Sequence, residues 1–184
     1  TPEARAALLD RTAATELASA FATSPRDGAT PVLTPAQRTG VESVLASELG
    51  TLRTALEGGA SLTTGRPSAF QRLARRLETD AGLSPTAAES VLRGVQHHLV
   101  ERTVVSRLAT AQATATTPLT AAQMEASVRD TALRAGLPAE HAAALAPEVV
   151  SRGPFVDLIH RNLPQRFWTP RLARLGRPRA SRGR

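Results

Sequence analysis

Residues 34–59 read TPAQRTGVESVLASELGTLRTALEGG, and this stretch decides the fold. Val41, Val44, Leu45, Leu49, Leu52 and Leu56 recur at intervals of three and four, which lines them up on one face of an α-helix. A half-buried strand would alternate by two instead. The ends carry helix punctuation. Thr34 can accept from first-turn amides, Pro35 has its φ preset for the first helical position, and Gln37 can return a hydrogen bond to Thr34. Gly58-Gly59 stops the run.

The same grammar extends in both directions. Toward the N-terminus, residues 3–22 put Leu9, Ala13, Leu17 and Phe21 on one stripe, closed by Ser24-Pro25 and Asp27-Gly28. Toward the C-terminus, residues 60–66 read as a small polar loop. Pro67 or Ser68 then opens a third helix with Phe70, Leu73, Leu77 and Ala81 inward and Gly82 as its stop. Ser84-Pro85 caps a fourth, running to about residue 112, with Ala88, Val91, Leu92, Val95, Leu99 and Leu108 inward. Thr116-Thr117-Pro118 breaks the chain. Thr120 and Gln123 form a second capping box, starting a helix with Met124, Val128 and Leu133 that ends at Gly136. Pro138 begins a sixth, with Ala142, Leu145 and Val149 inward and Gly153-Pro154 as its stop; Pro147 predicts a kink or an early end. Gly82-Leu83 and Gly136-Leu137 echo each other as corners in which Gly ends a helix and Leu plugs the turn.

The expectation is therefore an all-α protein, a multi-helix bundle of about six helices with a basic, partly disordered C-terminal arm. Its parts are an N-terminal helical bundle over 1–112, a smaller helical segment over 118–163 and an Arg-rich arm over 164–184. Composition agrees: Ala, Leu, Arg and Glu dominate, Ile occurs only at Ile159, and there is no Tyr. With no Cys, disulfides and thiolate metal or redox sites are excluded. The apolar runs are too short to cross a bilayer, and no signal-peptide core is visible, so the expectation is a soluble chain. Met124 is the only methionine, which predicts that Thr1 is not a translational start and that the chain is a processed protein or an excised domain.

All 23 basic residues are Arg. Codon bias in a GC-rich genome is the broader explanation, because Asn, Ile, Tyr and Met are depleted with Lys. The sharper alternative is a lysine-free effector or toxin-associated module that offers no ε-amine for tagging and acts by protein contact.

Catalytic signatures are missing: no Gly-rich phosphate loop, nucleophile elbow, HExxH pair or EF-hand is present. His97, His98 and Glu101 come nearest to a metal site, but adjacent helix residues point about 100° apart, so both imidazoles cannot join Glu101. No catalytic residue, metal ligand or cofactor is assigned. Arg72, Arg75 and Arg76 form a basic patch on the third helix, read first as a solvated face.

Charge is segregated. From Gln165 to Arg184 there are seven arginines, Arg166, Arg171, Arg174, Arg177, Arg179, Arg182 and Arg184, and no acid. Residues 1–164 hold 16 Arg against 16 acids, so the C-terminal segment carries the whole net charge of +7. Phe167 and Trp168 stand at its start as a hydrophobic anchor or as rings that could stack on a base. The leading expectation is a non-catalytic binding module whose arm engages an anionic partner, nucleic acid first. A protein partner is the alternative; an anionic membrane surface ranks below both, and a merely solubilising terminus is the bland reading.

Overall fold

The computed structural model describes residues 1–22 and 33–151, and what it describes is all-α. Six helices follow in order: α1 (Pro2–Ala22), α2 (Pro35–Glu57), α3 (Ala69–Asp80), α4 (Pro85–Thr114), α5 (Ala121–Arg134) and α6 (Ala139–Ser151). Among the described residues there is no strand, only an isolated bridge between Gly65 and Ser68. Among the described residues two compact units are present, one of Thr1–Thr103 with Thr131–Leu137, the other of Val104–Asp130 with residues 138–151. Helices α4 and α5 each contribute to both.

The ends of the helices follow the side chains that cap them. Thr34 Oγ1 accepts from the Gln37 amide at 3.2 Å while Gln37 Oε1 accepts from the Thr34 amide at 3.0 Å. The other end of the same glutamine donates to the Gly82 carbonyl at 3.0 Å, tying the start of α2 to the corner after α3. Ser68 and Gln71 repeat the box, which makes Ser68 the cap of α3 and leaves Pro67 outside it. Thr120 and Gln123 repeat it for α5. In the first unit, Gly82 and Gly136 both sit at positive φ, as the corner grammar requires. At the second corner the Leu137 amide donates to Ala132 and the Gly136 amide to Leu133, a Schellman pairing that satisfies the last carbonyls of α5.

In the first unit, all six apolar residues of the deciding stretch are buried on α2. Phe70, Leu73 and Leu77 of α3 and Ala81, which caps its end, are buried as well. Helix α1 departs from its expected stripe. Leu9 is 42% exposed and Leu17 half-buried, whereas Asp10, Ala13, Ala14 and Ala18 face inward. The reason is the partner surface. Helix α1 packs on α2, where Gly50 makes room for Asp10, so small side chains and one ion pair define the contact in place of leucines. Leu62, in the loop expected to be polar, is buried at 2%; its amide donates to the Arg134 carbonyl and its carbonyl accepts from Phe70.

In the second unit, Gln112 is buried and closes the turn after α4. Its Nε2 donates to the Thr117 carbonyl at 3.3 Å and its Oε1 accepts from the Leu119 amide at 2.8 Å. Helix α5 buries Val128 here, and in its last turn, which belongs to the first unit, it buries Thr131 and Ala132 while Leu133 is 44% exposed. Helix α6 runs through Pro147 to Ser151, so the proline does not end it. It buries Ala142, Ala146 and Val149, with Leu145 half-buried.

Candidate nucleic-acid interface

The seven arginines from Arg166 to Arg184, and Phe167 and Trp168, lie outside the described residues. The arginines of the helical body do not, and Arg53, Arg76, Arg93 and Arg107 pair with acids. Arg53 of α2 grips Asp10 of α1 with two hydrogen bonds, Nε to Oδ1 at 3.2 Å and Nη2 to Oδ2 at 3.1 Å, and adds Glu57 at 3.2 Å. The bond to Asp10 holds the Arg53 guanidinium above its ordinary pKa, against the opposing effect of burial. Arg93 pairs with Glu89 at 3.2 Å, and Arg107 with Asp130 at 2.9 Å. Arg38 donates to Ser19 Oγ at 2.7 Å, and Arg134 donates to the Gly59 carbonyl.

Helix α3 is where the pattern changes. Arg76 is committed to α2: its Nη1 donates to Glu48 and to Ser47, and its Nε to Asp80 at 3.1 Å. Those bonds, Glu48 first, raise its pKa, and the reciprocal bond from Arg76, followed by one from Thr79, lowers that of Asp80. Arg76 is thus a tie between helices. Arg72 and Arg75 stay exposed on the outer side of α3, and Arg66 is exposed in the turn before it. Arg72 Nη1 donates to the Pro67 carbonyl at 2.8 Å, which holds its head against the residue that follows Arg66 in the chain. The patch foreseen as Arg72, Arg75 and Arg76 is therefore Arg66, Arg72 and Arg75. Arg66 was overlooked because no helical period reaches it; its position next to Pro67, four residues before Phe70, was the available signal.

Three of the four histidines lie among the described residues. His97 is exposed and His98 half-buried on α4, and His141 is exposed on α6. No group of three or more His, Asp or Glu that could hold a metal lies among the described residues. Burial lowers the His98 pKa, and Arg102 lowers it further, outweighing Asp10, Glu101 and Glu16. An open groove of about 460 Å³ between α1 and α2, lined by Glu3, Asp10, Gly50, Arg53 and Thr54 among others, contains no histidine, and its buried carboxylate is held by Arg53. Among the described residues, no helix is long and apolar enough to cross a membrane. No protein-family model matches the chain, and neither does any curated protein or solved structure.

Proposed function

We propose that the chain is a helical binding module whose arginine-rich C-terminal segment engages nucleic acid through its phosphates, without catalysis. The observation that carries this reading is the segregation of charge: seven arginines and no acid in residues 165–184, beside a body with equal numbers of Arg and acids. Guanidinium groups grip phosphate bidentately and keep their charge at any physiological pH. Each phosphate contact releases condensed counterions, so an acid-free run of this kind binds polyanions without sequence preference and with strong salt dependence. Phe167 and Trp168 add rings able to stack on an unpaired base.

A second reading, docking on a protein, is favoured by one observation: Leu8 and Leu9 stand 64% and 42% exposed side by side on α1. Deleting residues 169–184 removes six of the seven arginines and separates the two. Titrations of a labelled generic RNA and duplex across a salt series are expected to show affinity falling and the salt slope flattening in the shortened chain. Equal nucleic-acid affinity with and without the segment would end the leading reading.

A further inference from the structure

We propose that Arg66, Arg72 and Arg75 form a second phosphate-contact surface for nucleic acid, on the outer side of α3. The inference rests on the nucleic-acid reading above but uses different residues and a different part of the chain.

Three observations carry it. First, three exposed arginines stand close together along the chain, one in the turn before α3 and two on the helix itself. Arg72 and Arg75 are three residues apart, which makes them neighbours on a helix surface, and the Arg72 head reaches the carbonyl of Pro67, the residue that follows Arg66, at 2.8 Å. Second, the three keep their charge. The nearby acids Glu48 and Asp80 are both engaged by Arg76, leaving only Glu78 on the outer side of α3. Third, the surface lacks what a protein interface needs. Every exposed residue of α3 is polar: Gln71, Arg72, Arg75, Glu78, Thr79 and Asp80. Protein interfaces are built around an apolar or aromatic centre, which is missing here, whereas backbone contacts to nucleic acid need only positive, hydrogen-bonding side chains. The Arg72–Pro67 bond also restrains one of the three side chains before any partner arrives, which lowers the ordering cost of contact. The surface suits a phosphodiester backbone of either DNA or RNA.

The test compares four proteins on the same labelled 20-mer, single-stranded and duplex, across a salt series: the full chain, the chain lacking 169–184, and each of these with Arg66→Gln, Arg72→Gln and Arg75→Gln combined. The triple variant is expected to melt as the parent does, since all three positions are exposed. Its log–log salt slope on duplex should be shallower by roughly 2 to 3, close to one per lost contact. A Lys triple at the same positions should restore most of that slope. A triple variant with an unchanged slope, in a chain whose deletion does weaken binding, overturns the α3 surface and leaves the C-terminal reading standing. Loss of slope in the triple variant with no effect of the deletion does the reverse. Binding of poly-glutamate but of no nucleic acid overturns both.

Discussion

Gly40, inside α2, faces Ala81 at the end of α3 so closely that a methyl group on Gly40 would stand 2.7 Å from the Ala81 Cα and 2.9 Å from its Cβ. Helix propensity alone would make Gly40→Ala stabilising by about 1 kcal/mol. The obstruction is backbone, which cannot swing aside as a long side chain can, so overpacking wins. The expected net cost is about 1–2 kcal/mol, seen as a lower denaturant midpoint with an unchanged m-value. A midpoint that rises would mean that α2 and α3 do not meet at Gly40.

The two corner glycines separate backbone cost from steric cost. Gly82 has φ 67° and nothing within 4 Å of where a Cβ would be. Gly82→Ala should therefore cost only the left-handed conformation, about 1 kcal/mol. Gly136 has φ 90°, and its added Cβ would collide with Thr63 Cγ2 and lie 3.2 Å from Gln96 Nε2. Gly136→Ala should cost roughly 1–2 kcal/mol more than Gly82→Ala. Combining it with Thr63→Ala removes the obstructing methyl, and the pair should show favourable coupling in a double-mutant cycle. Equal costs at both glycines, with no coupling, would refute the contact.

Asp10 and Arg53 are an unequal pair. Losing Asp10 leaves Arg53 with Glu57 at 3.2 Å, on a side chain 15% exposed. Losing Arg53 leaves the Asp10 carboxylate, only 9% exposed, without its cation. Arg53→Met should accordingly destabilise by about 2–4 kcal/mol and Asp10→Ala by about 1–2 kcal/mol, because stranding a buried charge costs more than weakening a shared one. Asp10→Leu combined with Arg53→Met should recover part of the larger loss. Thermal unfolding of the four proteins measures the order, and the reverse order would contradict the geometry.

The fold was legible wherever one residue type did one job. Six apolar residues at intervals of three and four on α2, with Thr34 and Gln37 at its start, leave no other reading, and all six are buried. The face of α1 was legible only at Ala13, because its other buried members are Ala14, Ala18 and a carboxylate, while Leu8 and Leu9 lie outside and Leu17 is half-buried. Hydrophobic periodicity weights Leu over Ala, yet close helix packing favours the smaller side chain, and only the identity of the facing residue, Gly50, decides between them. Leu133 misleads in the same way on α5. Leu62 sits among Ser and Thr, so its burial depends on the distant Arg134 carbonyl, which no local pattern reports. At the candidate surface the sequence carried Arg72 and Arg75. The commitment of Arg76 to Glu48, 28 residues away, is a tertiary fact, and so is the inclusion of Arg66.

His98 makes stability depend on pH in a direction set by its surroundings. It is half-buried on α4, and its folded-state pKa is lowered by burial and by Arg102, with Asp10, Glu16 and Glu101 opposing. In the unfolded chain the same imidazole titrates near its ordinary value of about 6.5. The unfolded state therefore binds the proton more readily, and unfolding is favoured as protons become available. This contribution to stability is fully present above about pH 6.5, falls as pH drops through that value, and levels off below the lowered folded pKa. His98→Gln removes the titrating group while keeping a polar side chain of similar reach. Denaturant midpoints at pH 7.5, 6.5 and 5.5 should fall on acidification for the parent and fall less for His98→Gln. Parallel pH profiles for the parent and His98→Gln would show that the imidazole is as accessible to protons in the folded protein as in the unfolded chain.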